Sequence, residues 1–502
     1  MSVGTTDVLF GQAYFLRFDP KLWEAQQPYA PLGALYAAAA ARERGYSVAF
    51  FDAMLAVSEA EWAAALDRHR PRVAVLYEDS FNYLSKMCLL RMREAALTMI
   101  DAARERGVPV IVAGSDASDH PVVYLDRGAV LVVTGEGEIT LGDVLDSMSG
   151  RTQQQLTAIP GVCLRGIDGR VVRTPAREII RDLDGLPRPA WDLVDVEAYR
   201  RVWMARHGYF SMNVVTTRGC PYHCNWCAKP IYGQRYSARS AEGVAAEVAW
   251  LKDTYHPDHV WFADDIFGLR PGWIDQYAAA VNTLKAATPF KCLLRADGVT
   301  PESARTLAAA GCQTAWVGAE SGSQDVLDAM EKGTRVGHIY DAARLLKAAG
   351  VRVGFFLQFG YPGETLAHIE QTLQMVRECA PDDIGVSVSY PLPGTPFYDR
   401  VKAQLGTKQN WLDSSDLAMM YQAAYVPEFY RVLHALVHAE FRSKKRGTVR
   451  AMAASVYHSI RIPILRHRIE RLSRVHTHNP APLLLIPVLS RQAAAMPSEQ
   501  SH

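Results

Sequence analysis

Along residues 1–150, short apolar runs alternate with longer stretches of helical spacing. Asp7–Phe10, Ser47–Phe51, Val73–Tyr77, Val108–Val112 and Val130–Val133 read as buried strands. Pro31–Arg44, Glu59–His69, Leu84–Arg106 and Ile139–Met148 between them have the spacing and composition of helices. Strands alternating with helices imply βαβ units, and so a parallel sheet covered on both faces. Such a doubly wound α/β domain takes its ligands beyond the carboxyl ends of its strands. The residues there are Gly11–Gln12, Asp52, Glu78–Ser80, Gly114–Asp116 and Gly135–Glu138.

The pattern weakens over 151–205. There Gly161–Arg165 and Arg170–Arg173 flank Asp168-Gly169, a hairpin signal, and Leu186–Pro189 reads as an extended linker. From 206 to about 400 the βα alternation returns. The candidate strands are Asn213–Thr217, His259–Ala263, Phe290–Leu294, Thr314–Gly318, Val351–Gln358 and Gly385–Ser389. Ala241–Thr254, Trp273–Ala287, Ser303–Ala310 and Ile339–Ala349 are the helices between them. This predicts a barrel-like (β/α)6 parallel sheet, closed or open. Residues 401–502 turn helical and irregular. Four segments are therefore expected: 1–150, 151–205, 206–400 and 401–502.

Composition narrows the function only a little. With 54 Lys+Arg against 53 Asp+Glu and 49% apolar residues, the chain is a globular protein with no global pull toward nucleic acid. No apolar run reaches the ~18 residues needed to span a bilayer, and the start lacks a secretory pattern, so a cytoplasmic protein is expected. Ten Lys/Arg against the single acid Glu470 in Phe441–Val475 make a local exception. That stretch, followed by the apolar Ala481–Leu489, is either a solvated helical lid or a basic amphipathic surface for a membrane or a lipid-like substrate. Tyr457 is its one interleaved aromatic, so nucleic-acid binding is not expected.

Of eight cysteines, Cys88, Cys163, Cys292, Cys312 and Cys379 stand singly in apolar surroundings, where a free cysteine is ordinarily a small buried hydrophobe. The other three share one loop, Cys220-Pro221-Tyr222-His223-Cys224-Asn225-Trp226-Cys227, directly after a predicted strand. Three thiolates can hold three corners of a [4Fe–4S] cube, whereas an electron-transfer cluster takes four; the missing ligand leaves one iron open. A structural zinc site would want a fourth ligand and a second ligand pair nearby, which is absent. A thioredoxin-like pair at Cys224 and Cys227 would leave Cys220 unexplained.

The spacing Cys-x3-Cys-x2-Cys with Trp226 before the last cysteine resembles the signature of the radical S-adenosylmethionine (SAM) superfamily. Polar landmarks after the following strands match its segments too. They are Asp264 and Asp265, Arg295 and Asp297, Glu320-Ser321-Gly322, Gly360–Glu364, and Pro391–Thr395. In barrel enzymes, residues following the strand ends face the active site. The resemblance implies that Cys220, Cys224 and Cys227 hold a [4Fe–4S] cluster whose open iron chelates SAM. It further implies that Asp264 and Asp265 accept the SAM ammonium and that Glu320 bonds the ribose. Trp226, Gly360 and Gly363 would border the adenine. Arg295 would answer the SAM carboxylate or pair with Asp297. Reductive cleavage of SAM, fed by a flavodoxin, ferredoxin or reductase, would then give a 5′-deoxyadenosyl radical that abstracts hydrogen from a small or lipid-like substrate.

The order of a doubly wound domain, a linker and the cysteine domain resembles the cobalamin-binding subgroup. This adds C-methylation, oxidation or ring closure as outcomes. Pro31-Leu32-Gly33, Gly45–Val48 leading to Asp52, and Thr134–Glu138 match it; the resemblance spans roughly residues 7–400. The Asp-x-His-x-x-Gly motif of the best-known cobalamin domains is missing, with only His69 and His120 before residue 150. Gly114-Ser115 replaces the usual paired glycine. Two alternatives stay open: a cobalamin-free enzyme with a structural N-terminal domain, and a non-catalytic iron–sulfur or zinc scaffold.

Overall fold

The computed structural model describes residues 6–81, 89–227, 231–444 and 449–475, the side chains of 449–454 excepted. Cys88, the start of the expected Leu84–Arg106 helix and the apolar Ala481–Leu489 run lie outside the described residues. Two sheets organise the chain. The first contains β1 (Val8–Gly11), β2 (Val48–Phe51), β3 (Val73–Tyr77), β4 (Val110–Ala113), β5 (Leu131–Val133), β6 (Val162–Arg165) and β7 (Val171–Arg173), in the spatial order 2-1-3-4-5-6-7. Strands β1 to β5 are parallel, which gives the doubly wound order with its switch point between β1 and β3.

The Asp168-Gly169 hairpin does more than link. β6 pairs antiparallel with β5, Val132 opposite Cys163, and β7 forms the outer edge. The backbone of β5 would otherwise be an open edge, and the buried Val162, Cys163 and Leu164 supply the apolar face that seats the hairpin on the sheet.

After two short strands, β8 (Ser211–Val214) and β9 (Thr217–Arg218), the chain carries the cysteine loop and returns as β10 (Ser237–Ala238), which pairs with β9. The second sheet adds β11 (His259–Phe262), β12 (Phe290–Leu294), β13 (Cys312–Glu320), β14 (Arg352–Phe359) and β15 (Asp383–Val388). All its pairs are parallel, in the order 15-14-13-12-11-8, with β8 and β15 as the two edges. The predicted barrel is thus an open, partial one. Helices return the chain between strands, several started by side-chain caps such as Ser240, Thr300 and Thr365.

Two boundaries differ from the sequence reading in ways that bear on the site. β13 runs from Cys312 to Glu320, so Cys312 opens the strand and Glu320 ends it. In the region expected to turn helical after residue 400, the first long helix begins only at Pro427, because proline is compatible with the first turn of a helix but not its interior. This helix, Pro427–Ser443, packs against Val449–Ser473 and against Leu366–Cys379. Arg377–Glu440 (3.0 Å) and Arg466–Glu370 (3.2 Å) tie the three together.

The N-terminal unit is fastened to the second sheet by buried polar contacts. Trp203 Nε1 donates to the Pro28 carbonyl (2.7 Å) and the Tyr199 hydroxyl donates to Asp52 (2.6 Å). Asp52 is buried deeply enough that its carboxyl is raised to about 6.

Candidate active site

The cysteine loop begins at a glycine that no other residue could replace cheaply. Gly219 has φ +76°, and a Cβ there would stand 2.1 Å from the Arg235 carbonyl oxygen. Asn225, fully buried in mid-loop, fixes the other end. Its amide donates to the Ala329 carbonyl (2.8 Å) and to Glu331 (3.1 Å), and its oxygen accepts from the Tyr361 hydroxyl (2.9 Å). Its backbone exchanges bonds with Met330 and Phe397. Cys220 and Cys224 are buried and Cys227 partly so. Among the described residues, no group of three or more His, Cys, Asp and Glu side chains is drawn together as a preformed metal site. The hydrogen bonds of Asn225 anchor the loop between its second and third cysteines.

Two cations stand over this loop. Arg295, 6% exposed, places Nη1 3.9 Å from Cys224 Sγ and stacks its guanidinium 3.8 Å from the Tyr222 ring centroid. It also pairs with Asp297 (2.8 Å) and donates to the Lys332 carbonyl. Lys332 Nζ lies 2.9 Å from Glu320 and 6.0 Å from the Trp226 ring. Burial pulls the Lys332 ammonium down, but Glu320 and Cys224 outweigh it and hold it above its ordinary value.

Glu320 is strained into place. It has φ +58° at a register shift where β13 meets β14, and strain of this kind persists only where the surroundings enforce it. Trp226 is partly buried, and its indole N–H has no partner among the described residues.

The remaining predicted residues separate into two groups. Asp264 is buried and turned to the backbone of the preceding strand. Its Oδ1 accepts from Thr216 N (2.7 Å) and Thr217 N (2.9 Å) and its Oδ2 from the Thr216 hydroxyl (2.6 Å). Burial raises its carboxyl to about 6 against these lowering bonds. Asp264 therefore ties down the strand that leads into the cysteine loop, while its neighbour Asp265 is only half-buried.

Gly360 and Gly363 form a left-handed turn (φ +82° and +83°) held from both sides. Gly360 N donates to Glu364 (2.6 Å), and its carbonyl accepts from Tyr421. Glu364 is almost wholly buried and its carboxyl is pushed up to about 8. The turn reaches the cysteine loop through Tyr361.

The sequence reading missed Lys332 and Arg218. Lys332 lies in an unremarkable Glu331-Lys332-Gly333 stretch, so nothing in the linear pattern marks it. Arg218, two residues before Cys220, had adjacency as its signal. It is 4% exposed and bonds Glu136 (3.0 Å) and Glu138 (2.6 Å) from the Gly135–Glu138 turn after β5. The carboxyl end of the first sheet thus abuts the cysteine loop.

The geometry agrees with what known proteins resemble this chain. Residues 214–376 match the family model of the radical SAM superfamily. An uncharacterized methyltransferase from Pyrococcus horikoshii is 28% identical over 284 residues, 56% of this chain and 60% of that protein. The hopanoid C-3 methylase of Methylococcus capsulatus is 25% identical over 409 residues, 80% of this chain and 74% of its own. Among solved structures, the radical SAM methyltransferase TsrM from Kitasatospora setae, with cobalamin and a [4Fe-4S] cluster bound, superposes with TM-score 0.65 at 20% identity, over 80% of this chain and 78% of its own. The cobalamin-dependent radical enzyme OxsB, with aqua-cobalamin bound, reaches 0.73 at 17% identity, over 93% and 73%.

A partial parallel barrel carrying this cysteine loop is similar to the radical SAM proteins, whose family model matches residues 214–376. Over most of the chain the fold is that of TsrM and OxsB, both solved with cobalamin bound.

Proposed function

We propose that this protein is a radical SAM enzyme in which Cys220, Cys224 and Cys227 hold a [4Fe–4S] cluster and SAM fills its open iron site. The observation that carries the reading is the cysteine loop itself: three thiols at spacings of three and two, under Arg295 and Lys332. The donor set fits an anionic cluster better than a closed zinc site, because two cations would stabilise the cluster and the described residues bring no fourth protein ligand to the loop. When bound, the cluster supplies the electron that cleaves SAM to methionine and a 5′-deoxyadenosyl radical.

The chain's own work is positional. Asn225 and Gly219 set the loop, Arg295 and Lys332 hold positive charge beside the thiols, and burial excludes water. Glu320, aimed by Lys332 and its strained backbone, would accept the ribose hydroxyls. Asp265, Trp226 and the Gly360–Gly363 turn would border the rest of SAM. A flavodoxin- or ferredoxin-type donor would supply the electron.

We further propose that the N-terminal unit, residues 1–150 with the β6–β7 hairpin added, carries cobalamin. Support comes from two buried polar atoms with no partner among the described residues, Glu78 Oε2 and Ser118 Oγ, beyond the carboxyl ends of β3 and β4; ligands of this fold occupy that region. Burial raises Glu78 to about 8. A neutral carboxylic acid there could donate as well as accept. C-methylation of a small or lipid-like molecule is the outcome favoured, since methyltransferases recur among the relatives.

Anaerobic reconstitution tests the cluster. The protein should take up about four irons per chain, with a spectrum that changes when SAM is added. Cys220→Ala, Cys224→Ala and Cys227→Ala should each lose the cluster, and Cys312→Ala should keep it. Equal iron loss in Cys312→Ala would overturn the three-cysteine site.

A further inference from the structure

A sheet made only of parallel strands is ordinarily covered on both faces. Here helices cover one face of the second sheet, and the other keeps solvent exposure along its middle strands. Along most of β12, β13 and β15 the burial alternates with period two, and β14 exposes Arg352 and Phe356. One set, including Ala315, Val317, Val353 and Phe355, is fully buried on the side of the helix Val336–Ala348. The opposite set includes Lys291, Leu293, Trp316, Phe356 and Ser387, and all five keep solvent exposure. Phe356 is 38% exposed, a high value for a phenylalanine within a central strand.

This face is built as a platform. The Trp316 and Phe356 rings stack at 4.7 Å between centroids and 24° between planes. Each lies across a glycine of the next strand, since Trp316 pairs with Gly354 and Phe356 with Gly385. A Cβ at Gly354 would stand 2.5 Å from the Trp316 ring, and one at Gly385 would stand 2.9 Å from the Phe356 ring. The glycines are what let both rings lie flat. Gly318, paired with Phe356, looks onto the Lys332–Glu320 pair, because a Cβ there would meet Lys332 Nζ at 2.9 Å and Glu320 Oε1 at 3.0 Å. The platform therefore borders the end of the sheet that carries the cysteine loop.

On the same face Lys291 holds its ammonium 5.1 Å from the rings of both Trp261 and Tyr29. No carboxylate pairs with it among the described residues. Burial alone lowers it, to about 8. A cation resting on aromatic faces without a counter-ion is suited to an anion that arrives with the ligand.

We propose that the open face of the second sheet seats the substrate, and that this substrate is a flat, π-rich apolar molecule carrying an anionic group, with Trp316 and Phe356 as its platform and Lys291 as its counter-charge. This rests on the radical SAM reading for its chemical consequence, but the binding does not require SAM or a cluster.

The test titrates the full-length protein with 1-pyrenebutyrate and with 1-pyrenebutanol, followed by fluorescence anisotropy. The two probes share the flat ring and differ in charge. The wild type should prefer the carboxylate by about tenfold, the scale of one hydrogen bond to a charged group. Lys291→Gln should abolish the preference while still binding the alcohol, and Lys291→Arg should retain it. Phe356→Ala should weaken both probes about tenfold. Gly385→Ala, which pushes on the Phe356 ring without removing it, should weaken both to a lesser degree; circular dichroism identifies any variant that fails to fold.

Equal affinity for the two probes, a preference that survives Lys291→Gln, or unchanged binding by folded Phe356→Ala and Gly385→Ala would each overturn the proposal. Failure of iron uptake would sink the radical reading and leave this titration intact.

Discussion

Arg218, two residues ahead of Cys220, closes a buried ion pair of 2.6 Å with Glu138 of the N-terminal unit. Glu136 joins from the same turn at 3.0 Å, and the rings of Tyr36, Phe81 and Tyr232 surround the guanidinium at 5.5–5.6 Å. One arginine thus connects the loop that would carry the cluster to the sheet that would carry the second cofactor.

Breaking this pair from one side should cost a great deal. Arg218→Met would leave two buried carboxylates without their cation, Glu136 keeping only the Ile180 N–H, and such losses run to about 3–5 kcal/mol. Chemical denaturation should show destabilisation of that order, together with reduced iron uptake. A loss under about 1 kcal/mol would mean that the pair is not buried in solution.

Asp264 and Asp265 should separate by phenotype. Asp264→Asn keeps one acceptor and loses charge-assisted bonds to Thr216 and Thr217, so it should cost stability, roughly 1–3 kcal/mol. Asp265→Asn should leave the melting temperature near that of the wild type and weaken SAM binding. Isothermal titration with SAM beside thermal melts decides between them; the reverse assignment would put Asp264 at the ligand.

Glu320→Gln should keep the cluster and weaken SAM binding about tenfold or more, since a charged acceptor becomes a neutral amide. Lys332→Met tests the same pair from the other side. It leaves Glu320 buried without its cation and should lower both stability and SAM affinity. Unchanged SAM affinity in Glu320→Gln would remove Glu320 from the site.

Glu364 gives a pH dependence with a definite sign. Its carboxyl is raised by burial to about 8 in the folded protein, far above its value in an unfolded chain, so the folded state holds the proton more tightly. Its contribution is complete at low pH and is lost as pH rises from about 4.5 through 8. Glu364→Gln should therefore be more stable than the wild type at pH 8, by on the order of 2 kcal/mol, and nearly equal to it at pH 5. Denaturation midpoints from pH 5 to 8.5 measure this; parallel curves for the two proteins would contradict the buried neutral acid.

The helix Val449–Ser473 presents Val456, Tyr457, Ile460 and Ile464 to solvent at 57–65% exposure, with Arg468, Arg471 and Arg474 exposed further along. No helix among the described residues is long and apolar enough to cross a membrane. A surface contact is the form that this stripe supports. Basic residues near an anionic bilayer contribute about 1 kcal/mol each. The protein should co-sediment with phosphatidylglycerol vesicles at low salt, and release at high salt. Ile460→Asp with Ile464→Asp should abolish the binding; indifference of the wild type to these vesicles would leave the helix a solvated lid.

Periodicity and local chemistry determined much of this protein without any structure. Alternating apolar runs and helical spacing specified two parallel α/β sheets, because burial of a parallel strand on both faces writes a continuous apolar run. The cysteine spacing specified a three-thiol loop, because ligands on one short loop are neighbours in sequence as well as in space.

Tertiary structure decided what each strand-end residue touches. Asp264 and Asp265 are adjacent and chemically alike, yet only Asp264 turns into the backbone of Thr216 and Thr217. Lys332 and Lys291 were invisible, and Arg218 showed only its adjacency to Cys220, because their partners lie on distant segments: Glu320 across a bulge, Tyr29 beneath a strand, Glu136 and Glu138 on another sheet. Whether the sheet would close was likewise beyond periodicity, since closure depends on the tilt and stagger of all six strands together. The open face with its paired glycines follows from that outcome.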